Sequence, residues 1–320
     1  MYDIIIIGSG PAGLTAGIYA SRANMKTLMI ASTFNPSLIT TTDLVENYPG
    51  FPDGITGFEI IERFTRQATK FGMETAEADV RAVSGIPQDG SVRWKVDAGD
   101  KTYEASALII ATGTQYAHLN VPGEEEFTGR GVSYCATCDG AFYRERDVVV
   151  IGGGDTAVQE ALFLTRFADT VTIVHRRDRL RATGILTDRA SANAKIRFEF
   201  NSVVEKIIGD TAVTGVIIRD VNDPAKKRTL RADGAFIFTG TIPNTAFLGG
   251  LAQCDDAGYI KVDQNMRTST KGIFACGDCT TKLLRQVVTA CGDGATAAFA
   301  AEHYINDQRG TSYEKWKNSQ

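Results

Sequence analysis

The chain has 320 residues, 43% hydrophobic and 22% charged, a balance that excludes disordered and collagen-like classes and is long enough for two domains with real cores. A formal net charge of -4 offers no basic field to nucleic acid, and 6 cysteines are too few for a disulfide scaffold. No run of about 18 apolar residues occurs, so no membrane-spanning helix is expected.

Ile4, Ile5, Ile6 and Ile7 form an unbroken apolar run that reads as a buried strand, and they follow Met1 too closely for a signal peptide. With cysteines this sparse, a reducing cytoplasm is the expected compartment. Gly8, Gly10 and Gly13, with Ser9, Pro11 and Ala12 between them, then make the pattern G-x-G-x-x-G. A helix is expected to follow to about Ala23, and a strand over 26–31. Strand, glycine turn, helix and strand together are a dinucleotide-binding unit. The first glycine makes the tight turn, the second lets backbone approach a pyrophosphate, and the third lets helix pack on strand. The helix N-terminus faces the phosphates. One element is missing: Ala31 and Ser32 stand where an acid near the end of the second strand would bind a ribose.

A meander turning at Asp89-Gly90 leads to the apolar strand "ALIIATGTQ", which closes at Thr112-Gly113. Farther on, Cys135-Ala136-Thr137-Cys138-Asp139-Gly140 contains a C-x-x-C pair. That spacing can hold zinc, staple a loop or shuttle two electrons, and a reducing compartment favours the shuttle over the staple. A second fingerprint comes next: a strand over 148–151, then Gly152, Gly153, Gly154, Asp155, Thr156 and Ala157, a helix, and a strand over 171–174. This strand ends in His175, Arg176 and Arg177, with Arg181 shortly beyond. A carboxylate there would repel a 2'-phosphate and arginine would bind it, so this site is expected to prefer NADPH.

A second meander, turning at Asn222-Asp223-Pro224, and the strand "GAFIFTGTIPN", closing at Thr239-Gly240, complete a duplicated plan. "GIFACGDC" over 272–279 is a strand ending in Gly277-Asp278 without a fingerprint of its own, so it is read as returning to the first domain. The expected fold is α/β with two Rossmann-like dinucleotide-binding domains, each with a β-meander. Residues 116–243 form a domain inserted between 1–115 and 244–320 of a discontinuous one.

GSGPAG at 8–13, VENYPGFP at 45–52, CATCDG at 135–140, GGGDTA at 152–157, HRRDRLR at 175–181, then GIFACGDC and LLRQVVTA, occur in this order. Over essentially its whole length the chain resembles the low-molecular-weight thioredoxin reductases of the pyridine nucleotide-disulfide oxidoreductase family. The resemblance implies FAD in the discontinuous domain and NADPH in the inserted one. It places Asp278, after Gly277, at the ribityl chain of FAD, and Asn47, Arg285, Gln286 and Val287 at the flavin site. It gives Cys138 the flavin side of the dithiol, Cys135 the attack on a partner, and Asp139 the acid and base role.

The implied reaction carries electrons from NADPH through FAD and Cys135-Cys138 to thioredoxin or a similar small redox protein, in a cytoplasmic homodimer. The inserted domain would rotate about residues 115–119 and 241–245 to alternate access to the flavin. Cys276 and Cys279 are a second C-x-x-C, but a zinc shared with Cys135 and Cys138 would lock both domains and occupy flavin space. No metal is therefore expected, and Cys276 and Cys279 read as small buried residues. The chain departs from its relatives at Pro36-Ser37-Leu38, where they carry Gly-Gly-Gln, and at Ala141 beside Phe142, where they carry an aromatic. Alternatives are a reductase of another redoxin or peroxidase system, and a FAD-bearing redox-sensing binding protein.

Overall fold

The computed structural model describes residues 1–32, 37–88 and 91–311, so the Asp89-Gly90 turn and Pro36 lie outside the described residues. The chain divides into two compact units, one of residues 1–115 and 242–320, the other of residues 116–241.

The first unit begins with β1 (Tyr2–Ile7), α1 (Pro11–Arg22) and β2 (Thr27–Ala31), followed by α2 (Gly57–Lys70) and β3 (Glu74–Glu77). A meander of β4 (Val80–Gln88), β5 (Ser91–Ala98) and β6 (Lys101–Ile110) comes next. β1, β2 and β3 pair in parallel, and β1 also runs parallel to β6. Because such a sheet is covered on both faces, its strands are apolar throughout; Ile4, Ile5 and Ile6 are all fully buried. Along its other edge β6 is long enough to serve two partners, its first half pairing antiparallel with β5.

β7 (Thr114–Tyr116) carries the chain out of this unit. The second unit then supplies β8 (Val132–Ser133), α3 (Ala136–Asp139), β9 (Asp147–Gly152), α4 (Asp155–Leu164), β10 (Thr170–Val174), α5 (Gly184–Ala192) and β11 (Ile196–Glu199). β12 (Ser202–Gly209), β13 (Val213–Asp220) and β14 (Lys227–Arg231) form its antiparallel meander, and β15 (Gly234–Phe238) closes it. The main sheet has the order β11-β10-β9-β15-β8 with parallel pairing, so this unit repeats the plan of the first. Asp220 Oδ1 accepts from the backbone N–H groups of Asn222 and Asp223 and so makes the turn expected there.

After β16 (Thr241–Pro243), β17 (Ile273–Ala275) pairs in parallel with the second half of β6 and rejoins the first sheet. The last helix, α6 (Val287–Arg309), packs along α1. This approach is close because the facing residues are small: a Cβ at Gly294 would lie 2.1 Å from the Ala12 carbonyl oxygen. Gly294→Ala should therefore push α6 off α1 and destabilise the first unit by about 1–3 kcal/mol. Urea unfolding monitored on that unit would show the loss, and a wild-type midpoint would contradict this packing account.

Candidate active site and nucleotide cradles

In the first unit the glycine turn lies between β1 and α1. Gly8 has φ +112°, in the region that favours glycine, and a Cβ there would stand 2.3 Å from the Ala111 carbonyl oxygen. A Cβ at Gly13 would stand 2.0 Å from the Gly8 carbonyl oxygen, so helix and turn can meet only without one. Gly10 is the N-cap of α1, offers no side-chain cap, and is followed by Pro11, while no acid occupies the first turn. The early N–H groups of a 12-residue helix thus remain for an anion.

Gly277 and Asp278 reach this turn from the end of β17. A Cβ at Gly277 would touch the Ala12 Cβ at 2.8 Å. The Gly277 N–H donates to Asp293 Oδ2 at 3.0 Å, and Lys282 pairs with the same carboxylate. Asp278 Oδ1 is buried with no hydrogen-bond partner. Burial, with help from Asp293, raises the Asp278 pKa, while Lys282 and Arg285 oppose the shift. Arg285 donates to the carbonyl oxygens of Asp278 and Thr280, each at 3.3 Å, and its guanidinium lies 4.0 Å from the Tyr259 ring centre. Asn47 Nδ2 donates to Gln286 Oε1 at 3.0 Å, while Gln286 caps α6 and Val287 opens it. A buried carboxylate oxygen without a donor, beside a glycine turn that excludes side chains, fits a polyhydroxylated dinucleotide such as FAD.

Cys276 and Cys279 sit on either side of this Gly-Asp pair, both fully buried. Burial pushes the Cys279 thiol up to about 11 and the Cys276 thiol well above its ordinary value. Such thiols are poor nucleophiles.

The second unit repeats the cradle with one difference. A Cβ at Gly152 would lie 2.4 Å from the Phe238 carbonyl oxygen, whereas one at Gly154, the N-cap of α4, would meet open space. Asp155 Oδ1 accepts from the Thr183 N–H at 2.7 Å, Thr156 is exposed, and Ala157 is buried against the strand. His175 is 5% exposed, and its ring packs where a Gly153 side chain would go. Burial first, then Arg181, Arg177 and Arg176, lower its pKa, which keeps it neutral. The Arg181 N–H donates to the Gly153 carbonyl oxygen at 2.6 Å, and this bond folds residues 176–181 back over the turn. Arg176, Arg177 and Arg181 are exposed.

Just ahead of this cradle Cys135 and Cys138 form a disulfide, with Cα atoms 5.3 Å apart. Cys135 is half-buried and Cys138 exposed. The Cys138 N–H donates to Cys135 Sγ at 3.1 Å, and Thr137 Oγ1 lies 3.4 Å from the same sulfur. Asp139 closes α3 and precedes the turn Gly140–Tyr143, where its side chain makes no capping hydrogen bond. Ala141 and Phe142 follow, both exposed.

Residues 2–294 match the family model described as pyridine nucleotide-disulphide oxidoreductase. The chain is 49% identical to a thioredoxin reductase of Listeria monocytogenes over 96% of this chain and 95% of that one. It is 45% identical to that of Bacillus subtilis, covering 97% of each. A crystal structure of Lactococcus lactis thioredoxin reductase superposes with a TM-score of 0.92 at 42% identity, over 96% of this chain and 100% of that one. The chain belongs to the low-molecular-weight thioredoxin reductases. Membership of this family implies use of FAD and NAD(P)H.

Seen as a thioredoxin reductase, the chain holds features that no local spacing announces. Glu124 is 4% exposed, yet it accepts from the N–H groups of Leu119 and Asn120 and from Tyr134 Oη at 2.6 Å. His118 Nδ1 lies 2.7 Å from the same phenol, so the residue before Cys135 is braced by a carboxylate and an imidazole. Asp293, which steadies Gly277 and Lys282, was equally invisible, since it is one acid among small residues of α6. Gly153 reads as a spacer in the fingerprint, but it makes room for His175. Only contact in three dimensions distinguishes these residues from solvent-facing ones.

Proposed function

We propose that this thioredoxin reductase transfers two electrons from NADPH, by way of FAD, to the Cys135-Cys138 disulfide, and from there to thioredoxin. The observation that carries this reading is the disulfide placed directly ahead of a glycine cradle flanked by Arg176, Arg177 and Arg181. When bound, FAD supplies the step from hydride to dithiol that no ordinary side chain performs.

The chain's own groups do the rest. Gly8, Gly10, Pro11, Ala12 and Gly13 would hold the FAD pyrophosphate, and Asp278 Oδ1 would accept a ribityl hydroxyl proton. Asn47, Arg285, Gln286 and Val287 would lie against the flavin. Gly152, Gly154, Asp155, Thr156 and Ala157 would hold NADPH, whose 2'-phosphate the three arginines would neutralise beside buried His175. Cys138 takes up the electron pair as the sulfur-sulfur bond breaks, and Cys135 leaves as a thiolate favoured by the Cys138 N–H. Cys135 then attacks the thioredoxin disulfide, forming a mixed disulfide that Cys138 resolves. Asp139 moves the protons, so that NADPH, one proton and oxidised thioredoxin give NADP+ and the dithiol.

The same reading makes the protein a cytoplasmic homodimer. Exposed Tyr19 of α1 and Phe299 of α6 support it as apolar surface for a second copy. Sedimentation should give twice the chain mass, and a monomer at micromolar concentration would contradict the dimer. The reaction path is tested by adding two equivalents of NADPH anaerobically, enough to reduce both the flavin and the disulfide, then alkylating free thiols and mapping them by mass. Cys135 and Cys138 should become labelled and Cys276 and Cys279 should not. A Cys135-Cys138 disulfide surviving reduction of the flavin would overturn the proposed path.

A further inference from the structure

The first fingerprint lacks an acid at the end of β2, and the fold brings one there from another strand. β3 pairs in parallel with β2 from Leu28 opposite Glu74 to Ala31 opposite Glu77. The C-terminal ends of β1, β2 and β3 therefore share one sheet edge, the edge that carries the glycine turn and, in such sheets, the ligand. Beyond the ladder, the Ala78 N–H donates to the Ala31 carbonyl oxygen at 2.9 Å, which holds residue 79 beside residue 32. The Gly99 N–H donates to the Asp79 carbonyl oxygen at 3.1 Å and anchors that backbone from the meander. Ser32 Oγ donates to Asp79 Oδ1, so the side chains meet although 47 residues separate them.

We propose that Ser32 and Asp79 form the subsite for the adenosine ribose of FAD, replacing the acid that β2 does not carry. The proposal rests on the reading of the first unit as the FAD cradle. A ribose presents two neighbouring hydroxyl donors, and a carboxylate has about four acceptor positions, of which Ser32 uses one. Ser32 fixes the rotamer of the carboxylate, and its own oxygen can accept as well. Both residues are half-buried, which leaves them within reach of a ligand and lessens competition from water. The rival role for Asp79 is a brace that ties the end of β3 to β2 and touches no ligand.

FMN separates the two roles, because it carries the same ring and ribityl chain as FAD and no adenosine. The full chain is stripped of flavin, and dissociation constants for FAD and FMN are read from quenching of flavin fluorescence. Asp79→Ala should weaken FAD about tenfold to a hundredfold, as the loss of one or two charge-assisted hydrogen bonds does, and leave FMN within about twofold. Asp79→Asn keeps an acceptor for Ser32 and should shift the FAD to FMN ratio in the same direction by a smaller factor. It decides the matter if the alanine variant does not fold. A ratio unchanged in the variant, whether both flavins weaken together or neither does, would overturn the subsite and leave the brace. A wild-type chain that bound FMN but no FAD would remove both the subsite and the reading of this unit on which it rests.

Discussion

Cys138→Ser is expected to lower thioredoxin reduction by roughly three orders of magnitude or more, the scale on which enzymes lose activity when a covalent catalytic group is removed. The same variant should still let NADPH bleach the flavin, because both proposed nucleotide cradles are built from other residues. The direction of electron flow fixes this asymmetry. A disulfide is reduced at one sulfur while the other departs, and here Cys135 Sγ accepts the Cys138 N–H and is the sulfur better stabilised as a leaving thiolate. With serine at 138 the pair cannot close, so no electron pair can pass beyond the flavin. Stopped-flow absorbance of the flavin, beside steady-state assay with thioredoxin, separates the two half-reactions. Near-normal thioredoxin reduction in this variant would mean that Cys138 does not receive the electrons.

Replacing Arg176 and Arg177 together with neutral residues should raise the KM for NADPH by about one to two orders of magnitude. Each charge-assisted hydrogen bond to a phosphate contributes roughly 1.5–3 kcal/mol, and about 1.4 kcal/mol is tenfold, while exposure of these side chains reduces the effect. NADH has only a hydroxyl at that place, so its use should change little. Arg181 remains in the double variant, its backbone tied to Gly153, and should retain part of the discrimination. Flavin content should not fall, since the arginines and the proposed FAD cradle lie in different units. Loss of FAD from the variant would place the two nucleotides the other way round.

The glycine fingerprints were legible because each constraint there is local. Turn, close approach and helix packing all fall within six residues, and β1 and β9 begin and end within about two residues of the expected strands. The return of "GIFACGDC" to the first sheet could also be read, since a strand with no cradle of its own needs one elsewhere. By contrast, nothing in the spacing around Asp278 marks it out; only the fold shows that its Oδ1 is buried without a hydrogen-bond partner. Asp79 lies 47 residues from Ser32, and Glu124 braces Tyr134 through bonds that depend on the folding of residues 119–121. An acid on a surface turn and an acid holding a site look alike in sequence, because what separates them is burial and the donors that converge on them.

The central claim, NADPH-dependent reduction of thioredoxin by this chain, is tested most directly by anaerobic steady-state turnover of the purified protein supplied with FAD. NADPH and NADH are compared as donors against a panel of thioredoxins and glutaredoxins. The account predicts sustained oxidation of NADPH with a thioredoxin, at a kcat/KM at least about tenfold above that with NADH, one charge-assisted hydrogen bond being enough for that ratio. A flavin that is reduced once by NADPH and then turns over with no protein disulfide would contradict it.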